Sequence, residues 1–168
     1  MVKQLLAFDE AILLGLRRLH VPAITRLMRI FTRIGDTSSW VLLGLVLLAA
    51  GGSARRSGVL LAAAALFATL LSQTLKRLCK RPRPSSRIGG FYALAENPDA
   101  FSFPSGHTCA AFAVAIALAG RDWLGPLQFS LAFAIGISRV YLGAHYPLDV
   151  AVGATLGVIA GSVVRLLV

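Results

Sequence analysis

Cysteine is nearly absent from this chain. Cys79 and Cys109, two in 168 residues, leave no disulfide framework and no CxxC pair for a metal. Cys109 stands inside an apolar run, where a small buried thiol is ordinary packing, and both cysteines read as inert. Acidic residues are also few, seven Asp and Glu against 17 Lys and Arg, with no carboxylate cluster to hold a cation. Charge of either sign is scarce, at 14% of residues, while 57% are hydrophobic and the mean hydropathy is +0.75. Soluble domains average about 25% charged and about 45–50% apolar, so this composition belongs to a chain built for lipid. No internal repeat and no low-complexity linker is present. Asp9 and Glu10 interrupt the first apolar stretch, which argues against a signal peptide.

What is present is positive charge, +10 in all. In a soluble protein that excess would suggest nucleic acid. Here the bases flank apolar segments, and no basic groove interleaved with aromatics is found. The partners implied are the lipid bilayer, with its anionic headgroups, and a phosphorylated lipid, and no nucleic acid.

Residues 5–19 place Leu5, Phe8, Ile12, Leu16 and Leu19 at helical spacing. After Pro22, Ile24, Leu27, Met28, Phe31 and Ile34 share one face and Arg26, Arg29 and Arg33 another. Such a basic amphipathic helix lies in the membrane interface or packs on its own bundle. Five apolar segments follow: 18 uncharged residues between Asp36 and Arg55, 19 over 57–75, then 104–120, 123–138 and 150–164. The later ones are slightly short for a bilayer, so their loops should sit close to the interface. Gly153, Gly157 and Gly161 recur on one face, a close-packing pattern of membrane helices. The fold expected is an all-α integral membrane helical bundle, a single domain over 1–168. It would have amphipathic interfacial helices in 1–35 and about five transmembrane helices in 37–168. Two crossings separate the loop before Pro104 from the loop 143–148, so both emerge on one membrane face.

That face collects the chemistry. The loop from Lys76 to Pro84 concentrates cations at a membrane surface, either as a lipid anchor or, given its stiffening prolines, as something more rigid. Pro104-Ser105-Gly106-His107 reads as a helix start, with Ser105 as N-cap and Gly106 letting an anion approach the backbone. His107 taken alone reads as structural more readily than as catalytic. Asp149 follows His145 by four residues, one helical turn, where a carboxylate can accept from Nδ1 and leave Nε2 free. Of the seven acids, only Asp149 is placed to meet a catalytic histidine in this way. Cations for phosphate, a histidine nucleophile and a second histidine as acid make a phosphoryl-transfer site without metal or other cofactor.

These residues together resemble the type 2 phosphatidic acid phosphatase family, which shares its site with the vanadium haloperoxidases. The family's signatures K-x6-RP, PSGH and SR-x5-H-x3-D match Lys76 through Arg83-Pro84, Pro104 through His107, and Ser138-Arg139 through His145 to Asp149. The N-terminus departs from many bacterial members, which have a further crossing there. The resemblance implies that His145 attacks phosphorus to form a phosphohistidine and that Asp149 holds its tautomer. It gives His107 to the leaving oxygen as acid. Lys76, Arg83 and Arg139 would bind the phosphoryl oxygens, helped by Ser105 and the Gly106 N–H, and Arg81 is the weaker candidate of its pair. Among substrates it favours an isoprenyl diphosphate such as undecaprenyl diphosphate, with phosphatidylglycerophosphate, phosphatidate and a lipid A phosphate as alternatives. A non-catalytic protein binding anionic lipid is the reading of a different class, and haloperoxidase is disfavoured by the hydrophobicity.

The location implied is the cell (inner) membrane, crossed several times. The two indications of sidedness disagree. With the N-terminal helices on the catalytic face, the opposite side holds only Arg55, Arg56, Arg121 and Arg165 of 17 bases, which places the site in the cytoplasm. Resemblance to bacterial lipid-recycling phosphatases places it outside.

Overall fold

Helix breakers mark where the chain turns. The computed structural model describes residues 2–18, 20–95, 99–120 and 125–168, which form eight α-helices and no extended strand. They are α1 (Val2–Arg17), α2 (Pro22–Ile34), α3 (Thr37–Ala50), α4 (Gly52–Cys79), α5 (Pro84–Arg87), α6 (Gly106–Leu118), α7 (Gly125–Tyr141) and α8 (Pro147–Leu167). Pro22, Pro84 and Pro147 stand at helix starts, where a missing N–H costs nothing. Gly51, at φ +70°, reverses the chain between α3 and α4 in a conformation open to glycine. Leu19, Glu96, Arg121 and Trp123 lie outside the described residues.

The five apolar segments are five helices: α3, α4, α6, α7 and α8. α4 runs past 57–75 to take in Arg55 and Arg56 at one end and Lys76 and Arg77 at the other. Lysine and arginine are good helix formers whose stems can stay in apolar surroundings while their heads reach water. By length and apolarity α4 and α8 can each cross a bilayer, and α2 with α3 qualifies as one pair bent by 54°. α3, α6 and α7 have only 14, 13 and 17 residues. Thirteen residues rise about 20 Å against about 30 Å of hydrocarbon. Among the described residues two helices, or three with the bent pair, are long and apolar enough to cross alone, and the shorter apolar helices do not pass that test by length.

α6 is the centre of the bundle. Ten of its 13 residues are buried, as expected of a helix that is apolar on every side. α8 lies along it through the glycine row. A methyl at Gly157 or Gly161 would collide with the carbonyl of Cys109 or Ala113, and one at Gly153 would stand 2.7 Å from the Ser105 carbonyl. Backbone thus meets backbone along this seam, and the seam fixes the start of α6 against the start of α8.

The N-terminal helices do more than lie in an interface. α1 buries Leu13 and Asp9, at 2% and 4% exposure, against α7 and α8. α2 buries Thr32 against α7 and turns Arg26, Arg29 and Arg33 outward, with Ile24, Leu27 and Ile30 also exposed. Tyr141 pins the turn between them, its hydroxyl accepting from Val21 N at 3.1 Å and its carbonyl lying 2.8 Å from His20 Nε2. These contacts pack both helices on the bundle, one of the two compatible readings open in the sequence.

Candidate active site

The cationic loop is stiff because it is bonded on both sides. Lys80 adopts a left-handed conformation at φ 47° and ends α4. Pro82 then forms an isolated bridge with Phe101, and Ser102 N donates to Arg81 O at 2.9 Å. This joins the first motif to the stretch that leads into the second. Lys76 and Arg83, 3% and 4% exposed, converge on Asp99, with Nζ to Oδ2 and Nη2 to Oδ1 both 2.6 Å. Arg83 also donates through Nε to the Asp99 carbonyl at 2.8 Å and through Nη1 to the Ala144 carbonyl at 2.7 Å. Burial pushes the Asp99 carboxyl up, but the hydrogen bonds and charges of Lys76 and Arg83 outweigh it and hold it below the usual carboxylate range.

His145 is buried at 1% exposure in the loop between α7 and α8. Its Nδ1 donates to the Ser102 carbonyl at 2.6 Å. A carbonyl only accepts, so the proton sits on Nδ1 and the lone pair on Nε2, which lies 3.5 Å from Arg83 Nη1. Burial, reinforced by the charges of Arg139, Arg83 and Lys76, holds this imidazole well below its ordinary pKa. The ring is therefore neutral and nucleophilic near pH 7.

Asp149 does not make the direct contact expected from its spacing. Its Oδ2 stands 3.6 Å from His145 Nδ1 and accepts instead from Tyr146 N at 2.9 Å, capping α8. Its Oδ1 accepts from Arg81 at 2.6 Å, and the other end of that guanidinium donates to Asp9 at 2.6 Å. Asp9 in turn accepts from Leu148 N at 2.8 Å, and Arg81 lies 4.0 Å over the Tyr146 ring. The helix N-terminus and a guanidinium outcompete the imidazole for this carboxylate. Arg81, the discounted member of its pair, is what holds Asp149.

At the start of α6, Ser105 occupies the N-cap position, and its N donates to Asp149 O at 2.9 Å. Its hydroxyl does not cap the helix; it is fully buried and pairs with the Thr108 hydroxyl at 2.9 Å. Gly106 is half-buried, and a Cβ there would come within 3.4 Å of Ser72 Oγ. His107 Nε2 donates to Asp36 Oδ1 at 2.8 Å. Asp36 is thus a second acid that meets a histidine, by a tertiary contact rather than by the four-residue spacing that links Asp149 to His145. Arg139 is 1% exposed and donates to Thr32 Oγ1 of α2 at 2.6 Å. Its charge and that of Lys76 bear on both His107 and His145.

Lys76 and Arg139 thus act on both histidines and Arg83 on His145, while Ser105 N joins the start of α6 to Asp149, so the residues of the three motifs gather in one region. Sequence reasoning missed Asp99, Asp36, Ser102, Thr32 and Asp9. Only Asp36 and Asp99 carried a signal, as acids beside a helix start and a cationic loop. Among the described residues no group of three His, Cys, Asp or Glu side chains forms a metal cluster. Chemically this region can neutralise a phosphoryl group and offer one imidazole lone pair to it.

The sequence model of the PAP2 superfamily matches residues 57–168. The decaprenylphosphoryl-5-phosphoribose phosphatase of Mycobacterium tuberculosis is 38% identical over 128 residues, 74% of this chain and 69% of that protein. The undecaprenyl-diphosphatase of Sulfolobus acidocaldarius is 29% identical over 140 residues, 82% of this chain and 68% of that one. A solved transmembrane PAP2-type phosphatidylglycerolphosphate phosphatase from Bacillus subtilis superposes with a TM-score of 0.84 at 28% identity, covering 98% of this chain and 86% of its own.

Proposed function

The chain belongs to the PAP2 superfamily, and on that premise we propose that it is a polyprenyl diphosphate phosphatase working through a phosphohistidine at His145. Its coarser character follows from the family: a multi-pass membrane lipid phosphatase. The observation that carries the mechanism is the hydrogen bond from His145 Nδ1 to the Ser102 carbonyl, which leaves Nε2 as a lone pair among three cations.

The reaction runs in two balanced steps. The Nε2 lone pair forms a bond to the terminal phosphorus while the bond from that phosphorus to the bridging oxygen of the lipid phosphate breaks, and that oxygen takes a proton from His107. Water then attacks the phosphohistidine, giving its proton to His107 as the bond from phosphorus to Nε2 breaks. Lys76, Arg83 and Arg139 stabilise the charge on the equatorial oxygens in both steps. The Gly106 N–H, at the first turn of α6, adds a backbone donor. Ser105 contributes by holding that turn through Thr108 and α8. Asp149 acts through the loop, fixing Tyr146 and Arg81 beside the nucleophile and lending its charge to the imidazolium at 3.6 Å.

An apolar groove supports a lipid as the phosphate's carrier. A cavity of about 330 Å³ between α3 and α4 begins at Thr37, next to Asp36, and is lined by Trp40, Gly44, Leu48, Ala65 and Thr69. From Thr37 to Leu48, α3 rises about 16 Å along it, the scale of a hydrocarbon tail. The polyprenyl choice rests on two relatives whose names carry a polyprenyl group. A second reading, phosphatidylglycerophosphate, is favoured by the 98% coverage of the Bacillus subtilis structure.

The test is phosphate release from vesicles carrying, in turn, undecaprenyl diphosphate, phosphatidylglycerophosphate, phosphatidate and a lipid A phosphate. The highest kcat/KM should fall on the polyprenyl diphosphate, and a clear preference for a glycerolipid would overturn that choice. Activity surviving in His145→Ala would overturn the mechanism itself.

A further inference from the structure

The acid of the second histidine lies where no signature motif reaches. His107 donates Nε2–H to Asp36 Oδ1 at 2.8 Å, from the turn between α2 and α3. Three features make this turn a built support. Asp36 is the N-cap residue of α3, yet its carboxylate forgoes the cap hydrogen bond and points to the imidazole. Trp40 Nε1 donates back to the Gly35 carbonyl at 3.1 Å, which ties the turn to the first coil of α3. Gly35 itself packs close to the Cδ2 edge of the ring, since a Cβ there would stand 3.4 Å from His107 Cδ2 and 2.8 Å from Ile135 Cγ2. The Cδ2–Nε2 edge of the ring is therefore occupied by this turn, and Nδ1 lies on the opposite edge.

We propose that Asp36 is the positioning residue for His107: it holds Nε2–H, directs Nδ1 to the departing oxygen, and stabilises the protonated ring that the first step consumes. Asp36 is the carboxylate hydrogen-bonded to this ring, and a carboxylate partner favours the protonated imidazole. The site thus uses two histidines oriented by different means. His145 is held neutral by a carbonyl, which suits a nucleophile. His107 is held by a carboxylate, which suits an acid. The inference rests on the reading of His107 as the acid for the leaving group.

Leaving-group dependence separates this role from a structural one. An alkyl phosphate must receive a proton as its oxygen departs, whereas p-nitrophenyl phosphate releases a stable phenolate without one. Asp36→Asn should lower kcat/KM, which reports only the steps up to departure of the leaving group, about 30- to 100-fold on a lipid monophosphate and less than about 3-fold on p-nitrophenyl phosphate, as befits lost support for general acid catalysis. Asp36→Glu should recover part of the lipid activity. Equal losses on both substrates in Asp36→Asn, while His107→Ala shows the split, would overturn the role of Asp36 alone. Equal losses in His107→Ala would overturn the reading beneath it, and the role of Asp36 with it. Should Asp36→Asn fold poorly, 15N-histidine NMR of the wild-type protein decides: His107 should populate the Nε2–H tautomer when neutral, and an Nδ1–H tautomer would overturn the proposal.

Discussion

His145 Nδ1 lies 2.6 Å from the carbonyl oxygen of Ser102, so a backbone acceptor fixes the nucleophile's tautomer. Where a carboxylate alone does this, its amide variant can leave the wrong tautomer and cost about 10⁴ in kcat. Here Asp149→Asn should cost only about 10- to 100-fold, because the carbonyl stays and the amide oxygen can still cap Tyr146 N. His145→Gln should cost about 10⁴-fold or more. Phosphate release by purified protein in detergent measures both, and comparable losses would show that Asp149 sets the tautomer directly.

The difference between spacing and contact explains what was legible in the sequence. Hydropathy runs located all five apolar helices, and the glycine row at Gly153, Gly157 and Gly161 correctly announced a close helix seam. Parity placed the Ser105 loop beside the loop holding His145, and the hydrogen bond from Ser105 N to the Asp149 carbonyl joins them. The partners of the charges were not legible. Four-residue spacing puts Asp149 on the same helical face as His145, but cannot reveal that Arg81 and the α8 N-terminus compete for its oxygens. Asp9, 72 positions from Arg81 in sequence, and Asp36, 71 from His107, are tertiary neighbours that no local pattern encodes.

The depressed pKa of His145 has a definite sign. Its proton affinity is lower in the folded than in the unfolded chain, so its contribution to stability is present above the ordinary pKa of 6.5 and is lost as pH falls below it. In the same range the nucleophile stays neutral in the native state. A 15N-histidine NMR titration should therefore show the resonance that vanishes in His145→Gln still neutral at about pH 6, half a unit below the ordinary midpoint. A midpoint at or above the ordinary value would contradict the burial and the three nearby cations.

Asp99 pairs with both Lys76 and Arg83, two of the cations proposed to bind the phosphoryl oxygens. Removing one partner of a buried ion pair typically costs about 3–5 kcal/mol, and the partly exposed Asp99 should fall at or below the lower end. Asp99→Asn should lower the thermal midpoint in detergent. Phosphate or vanadate should restore more of it in the variant than it adds to the wild type, because the anion replaces the lost charge. Equal anion effects in both proteins would mean that Asp99 and the anion do not share these cations.

The groove between α3 and α4 makes a prediction that separates tail from headgroup. Gly44 lines it, and a Cβ there would meet Leu61 Cδ2 at an ordinary 3.5 Å, so a larger side chain can enter without breaking the helix pair. Gly44→Leu should fill the cavity and raise KM for a long-chain polyprenyl diphosphate about tenfold, the cost of displacing a few buried methylenes at about 0.8 kcal/mol each. A short-chain, water-soluble phosphate ester uses the same cations and histidines without the groove, so its kcat/KM should change less than about twofold. The comparison is internal to one variant, which removes any global loss of active protein. A parallel loss on both substrates would assign the groove to bilayer lipid or to packing, and the substrate's tail would then have to leave the site by another face.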